Sequence, residues 1–242
     1  MLIFLFYKMK VLLRISNNGN KKDKLPCVDN KQTAFLHTLS IVNDPHELYV
    51  FADNVTDELY NFMVDNYDSS KIFRTYYGNA KSLIHVIDFA IEHFEDSDTI
   101  YILEDDYIHL PNALDVIEEG VSISNYSTGY DHPDKYINHS EGGPNPFINC
   151  GGETTRVVVT KSIHWKYTNS CCMTFATKLK TIKEDYDLFV GIPADFQLFS
   201  TLRINKQRTI ASCIPSVSTH GETEWLAKFI DWNSVYENSI KV

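Results

Sequence analysis

The sequence predicts an α/β domain, a mostly parallel central sheet flanked by helices with a small antiparallel subsheet in its second half. Two observations predict it. Apolar runs of strand length alternate with stretches of helical spacing through the first half of the chain, the order that builds parallel strand–helix–strand units. The run Thr99-Ile100-Tyr101-Ile102-Leu103 is apolar on both faces, as a strand covered from both sides must be, and it stops at Glu104-Asp105-Asp106. Pro111 then closes the stretch Tyr107-Ile108-His109-Leu110, because proline lacks the ladder donor. A length of 242 residues, 43% of them hydrophobic, allows one sizeable core, so a single domain over 1–242 is expected.

Taken in order, Met1 to Tyr7 is an apolar leader too short to span a bilayer, and Met9 offers a second start. Lys10 to Ser16 reads as a buried strand, with Asn17 to Lys24 as the loop leaving it. Helical spacing over Gln32 to Val42 precedes a strand at Leu48 to Ala52, which ends at Asp53-Asn54. Thr56 is placed to cap the next helix, whose Asp57 and Glu58 favour the positive end of its dipole. A short strand at Lys71 to Tyr76 leads through Gly78-Asn79-Ala80-Lys81-Ser82 into an amphipathic helix over Leu83 to Ile91, with His85 packed on or near its apolar stripe. The acid-tipped strand follows, then a helix from Asn112 to Gly120.

The second half changes character. Ser124 to Gly152 is rich in Asn, Gly, Pro, Ser and Tyr without a clear period, and so long an irregular stretch in a compact domain is usually functional. Arg156 to Thr160 and Ser162 to Tyr167 read as an antiparallel pair, and Cys172 to Thr177 as a strand entering a helix over Leu179 to Tyr186. A helix begins near Asp195, and Thr209 to Pro215 is the last strand candidate.

A net charge of -10 excludes a nucleic-acid binder that works through clustered Lys and Arg. The five cysteines form no CxxC pair and are odd in number, which argues against a disulfide framework and for a reducing, cytoplasmic setting without a transmembrane segment. Three adjacent carboxylates allow two readings. One is a solvated acidic turn. The other is a site for a hard divalent ion, manganese or magnesium, which oxygen ligands of this kind would hold. In an open sheet, ligands bind outside the carboxyl ends of the strands, where Asp53, the Gly78 to Ser82 turn and the acids would converge.

These residues resemble a glycosyltransferase of the GT-A fold, close to the large inverting family that includes cellulose and chitin synthases. The resemblance rests on Asp53, Gly78-Asn79-Ala80, Glu104-Asp105-Asp106 as a version of the DxD motif, Asp195 opening a late helix, and Ser218-Thr219-His220-Gly221-Glu222, in that order. It implies a nucleotide diphosphate sugar donor bound by 1–123 and a glycan or other hydroxyl acceptor met by 124–242, the catalytic half. Asp53 would contact the base and Asp105 the ribose or metal, with Ser16, Asn79, Lys81 and Glu104 also on the donor side. Asp106 and His220 would ligate the metal, and Asp195 would be the general base.

Departures from the family are a first loop, Arg14 to Asn18, without its proline-rich opening, which leaves the base and phosphate contacts there open, and a missing downstream Gln and Arg motif, which with the lack of membrane helices argues against a processive synthase. Other readings stand beside this one. Asp53 and Asp195 could cap turns or helices, and Trp165, Trp225 and Trp232 could stack on sugars or pack in the core. Vicinal Cys171 and Cys172 read as apolar filler. The whole could be a nucleotide-sugar-binding module without turnover, or a nucleotidyltransferase, although a Gly-rich phosphate loop is missing after Ser16.

Overall fold

The computed structural model describes residues 8–18 and 22–240; the apolar leader at 1–7 and the loop positions 19–21 lie outside them. The strands are β1 (Met9–Ile15), β2 (Glu47–Asp53), β3 (Ile72–Thr75), β4 (Thr99–Glu104), β5 (Tyr107–His109), β6 (Tyr126–Thr128), β7 (Val157–Val159), β8 (His164–Tyr167), β9 (Phe175–Lys178), β10 (Ile210–Ile214) and β11 (Ser218–His220). The α-helices are α1 (Pro26–Asp29), α2 (Lys31–Ile41), α3 (Asp57–Asn66), α4 (Asn79–His93), α5 (Ala113–Val121), α6 (Leu179–Gly191), α7 (Asp195–Asn205) and α8 (Trp232–Ser239).

A nine-stranded sheet runs in the order β3-β2-β1-β4-β9-β6-β10-β8-β7, and β11 pairs with β5 in a separate two-stranded ribbon. The pairings make β8 and β9 run against the other strands of the large sheet. The carboxyl ends of β1, β2 and β4 therefore share one edge. Alternation along β1 shows why its sequence is a continuous apolar run: Val11 and Leu13 enter one core with Phe35 of α2 and Leu59 of α3, while Leu12 enters the other with Val86 of α4 and Phe199 of α7. Both faces are dry, so a polar residue at any of these positions would be buried without a partner.

Local signals hold where caps make them. The Thr56 hydroxyl accepts from the Leu59 amide at 3.3 Å and starts α3. Trp165 and Trp232 are core residues, and the Trp232 indole donates to the Ala227 carbonyl at 2.8 Å. His85 packs between the rings of Phe51 and Tyr77.

Two expectations are corrected. The irregular stretch Ser124 to Gly152 contains β6, which sits between β9 and β10 inside the large sheet. Its Tyr126-Ser127-Thr128 sequence shows little apolar pattern because Ser127 and Thr128 are satisfied in place, donating to the carbonyls of Ile117 at 2.8 Å and Thr174 at 3.2 Å. Nor is β10 the last strand, since β11 carries the chain back to β5, His220 opposite Tyr107. Among the described residues no helix is long and apolar enough to cross a membrane.

Candidate active site

Ser16, Asp53, Gly78, Asn79, Glu104, Asp105 and Asp106 line one crevice of about 220 Å³ at the carboxyl edge of β1, β2 and β4, together with Arg14 and Lys24. Each is placed by a strand end or the turn leaving it. The Ser16 amide, just past β1, donates to Asp105 Oδ2 at 2.8 Å. Arg14 reaches back from β1 to donate to the Asn79 carbonyl at 2.7 Å and its Oδ1 at 2.6 Å, and stands 3.4 Å from Glu104 Oε1. One buried guanidinium thus fixes the start of α4 to the acid triplet.

Asp53 is held differently from the base contact that the resemblance implies. Its Oδ1 accepts from the Thr75 hydroxyl at 2.9 Å and the Tyr77 amide at 2.6 Å, and its Oδ2 from the Gly78 amide at 2.9 Å and Asn54 at 2.7 Å. Burial alone would raise this carboxyl, but the donors keep its pKa lowered. With both oxygens doubly occupied, Asp53 organises the turn before α4 and has no acceptor position to spare for a base. Gly78 sits at φ 78°, a conformation that L side chains resist, and presents its amide to Asp53 as it caps the helix. Lys81 is exposed and lines the neighbouring groove with Tyr77, Ile84 and His85, outside the crevice.

The acid triplet is neutralised from within the chain. Lys31 Nζ is 2.8 Å from Asp105 Oδ1, and Lys24 Nζ is 2.6 Å from Asp106 Oδ2. Burial, reinforced by the neighbouring Asp106 charge, pushes the Glu104 carboxyl up. Burial works the same way on Asp106, yet the His220 hydrogen bond and charge and the Lys24 ammonium overrule it and hold that acid well below the usual range. These three cations went unnoticed in the sequence. The only signals were an arginine inside an apolar strand, the Lys21 to Lys24 run and a lysine at a helix start.

His220 comes to the site on the β5–β11 ribbon. Asp106 ends the turn that enters β5, and the Gly221 amide donates to the Asp106 carbonyl at 2.7 Å. A Cβ at Gly221 would run into the Val28 side chain and stand 3.0 Å from that same carbonyl, so this approach requires glycine. His220 Nε2 then lies 3.1 Å from Asp106 Oδ2. Burial would lower the imidazole, but the Asp106 bond and charge raise it.

A divalent ion, if held here, would draw on Asp106 and His220. Asp106 Oδ1 is buried with no hydrogen-bond partner, an orphaned acceptor beside an imidazole nitrogen. Among the described residues no group of three His, Cys, Asp or Glu side chains is arranged for a metal, so the remaining positions on an ion would be filled by phosphate oxygens or water.

A second cavity, about 390 Å³, is lined by Asp195, Tyr130, Asp131, Lys135, Cys172 and Trp225 among others. Glu222 lines it and stands 3.8 Å from His220 Nδ1, while His220 Nε2 touches the crevice acid Asp106. The acids here are paired: Asp131 with Lys166 at 2.8 Å, Asp134 with His132 at 3.0 Å, Glu222 with Lys22 at 2.7 Å. Asp195 is the exception. It is the first residue of α7, with Ala194 at the cap, and its Oδ1 accepts only from the adjacent Phe196 amide at 2.6 Å. It has no ion pair among the described residues.

No family model and no curated protein matches the chain. Solved structures do. S. aureus TarS aligns over 85% of this chain and 35% of its own, 15% identical, with a TM-score of 0.50. TarS 1-349 in complex with UDP-GlcNAc aligns over 85% and 55%, 18% identical, also at 0.50. The chain therefore spans about a third of the longer TarS chain. At such identities the likeness is one of fold: the chain has a GT-A-like α/β architecture, with its crevice outside the carboxyl ends of the strands.

Proposed function

We propose that the chain is a glycosyltransferase that moves one sugar from a nucleotide diphosphate sugar to a hydroxyl acceptor, with inversion at the anomeric carbon. The observation that supports this best is the division of labour between the two cavities: a crevice whose acids already carry cations, and in the second an acid, Asp195, that carries none. The crevice takes the donor, and the fold's likeness to TarS, crystallised with UDP-GlcNAc and with UDP, is consistent with that ligand class.

Asp195 takes the proton of the acceptor hydroxyl as that oxygen attacks the anomeric carbon. The bond from that carbon to the diphosphate breaks, and its electron pair leaves with the phosphate. Asp106 and His220 would hold a divalent ion, manganese or magnesium, which would supply charge stabilisation to the leaving diphosphate. Ser16 and Asn79 line the donor's path, while Glu104 and Asp105 orient Arg14, Lys31 and the Ser16 amide around it. Trp225 and Tyr130 offer the acceptor an aromatic wall. A binding module without turnover would have no use for an unpaired carboxylate facing a cavity.

The test is a panel of nucleotide sugars with and without manganese, read by thermal stabilisation and by release of the nucleoside diphosphate. One donor should both stabilise the protein and be consumed when an acceptor is supplied. Stabilisation and turnover by a nucleoside triphosphate in place of every nucleotide sugar would overturn the reading in favour of nucleotidyl transfer.

A further inference from the structure

Each carboxylate of the triplet has a chain cation, but the three cations are not anchored alike. Arg14 is also bound to Asn79, and Lys31 also to the Val28 carbonyl at 3.5 Å. Lys24 Nζ has Asp106 as its one hydrogen-bond partner among the described residues, at 2.6 Å, on the oxygen that His220 also approaches. Its side chain is 6% exposed. The Lys24 backbone is pinned to the turn carrying His220, through the bridge to Glu222, the Leu25 amide on the Gly221 carbonyl at 2.9 Å and the Thr223 amide on the Asp23 carbonyl at 3.0 Å. Movement at this point is therefore confined to the lysine's flexible stem.

Lys24 occupies Asp106 Oδ2 while Oδ1 has no partner, so a divalent ion taken up at Oδ1 would stand close to the ammonium and be repelled by it. The triplet already faces Arg14, Lys31 and Lys24, so an ion added without other negative charge would leave the crevice strongly positive. We propose that Lys24 is a placeholder cation: its ammonium neutralises Asp106 in the metal-free site and opposes a divalent ion at that carboxylate until it turns away. Lys24 thereby sets the affinity for the bare metal and couples metal uptake to the arrival of a diphosphate, to which the released ammonium can turn. This rests on the reading of Asp106 and His220 as the metal ligands.

The experiment is calorimetric titration of manganese into the full chain, alone and with UDP, for the wild type, Lys24→Met and Lys24→Gln, with Asp106→Ala as reference. Wild type should bind manganese weakly alone and more tightly with UDP. Lys24→Met and Lys24→Gln, which remove the repelling charge, should bind manganese alone at least about tenfold more tightly than wild type. Their melting temperatures should be lower than wild type without the metal and gain more from it. Manganese affinity in both variants equal to or below wild type overturns the placeholder; if Asp106→Ala meanwhile loses manganese–UDP binding, the ligand reading survives. Absence of manganese binding in every protein, with or without UDP, overturns both.

Discussion

The two cavities pair their acids in the same way and differ at one carboxylate. On the donor side the three acids of the triplet are met by ammonium or guanidinium groups of the chain, so the space is close to balanced before any ligand enters. On the acceptor side Asp131, Asp134 and Glu222 are likewise paired, and Asp195 alone is left without a cation among the described residues. A paired acid is a poor proton acceptor, because its charge is already spent on its partner. The difference teaches that charge density is a poor guide to a base, and that the carboxylate without a partner is the one to test.

Four measurements would break or sharpen this contrast, beginning with the largest effect. Asp195→Asn should lower turnover by about a thousandfold, the scale of a lost general base, while leaving donor affinity unchanged by calorimetry. Turnover within a few fold of wild type would move the base elsewhere in that cavity.

The second acts through pH on the donor side only. His37 of α2 accepts from the His109 amide of β5 at 2.9 Å and contacts the Ser239 hydroxyl at 2.7 Å, so it braces the β5–β11 ribbon. Burial lowers its pKa from 6.5 to about 4. The unfolded chain thus takes up the proton first, and the stability from the neutral ring is fully present above about 6.5 and lost as pH falls toward about 4. The loss is on the order of 3 kcal/mol by the usual worth of a pKa unit. Denaturant melts at pH 7 and pH 4.5 should show it, and a His37→Gln chain should have a flatter profile over that window.

Third, Asp106→Ala should weaken manganese–UDP binding by about a hundredfold, the upper range for loss of a metal-site group, and leave Lys24 and His220 without their shared acceptor. Last, Gly221→Ala should cost about 2 kcal/mol through overpacking against Val28 and the Asp106 carbonyl, read as a lower denaturant midpoint. It should also weaken metal binding, whereas acceptor-side Lys135→Met should leave that binding alone.

How much of this was legible beforehand follows from the range of the forces involved. The strands β1, β2 and β4 declared themselves because burial on both faces favours a continuous apolar run along most of each strand, and Asp105 and Asp106 stood out because that pattern breaks on them. His220 and Asp106 could be named as partners from the order of the motifs, and the fold does bring them within 3.1 Å. The strand β6 was illegible because Ser127 and Thr128 are buried by virtue of distant carbonyls, which no local pattern encodes. Lys24 and Lys31 were invisible for a similar reason: which acid a surface-type residue neutralises is decided by the tertiary path of the loop, not by its neighbours in sequence. Asp53 was legible as a position, while its four donors were not, since they come from a turn whose geometry appears only once β3 and α4 are in place.

The β5–β11 ribbon has a consequence for how the protein reaches its working state. The pairs β1–β2 and β2–β3 close over short helical crossovers, whereas the ribbon joins residues from opposite halves of the chain, His220 to Tyr107. Contacts of such long sequence separation carry a high closure entropy and form late. Asp106 and His220 therefore become neighbours only when nearly all the rest has folded, and recovery of manganese–UDP binding during refolding should lag behind recovery of helical signal, making the ligand a reporter of completed folding.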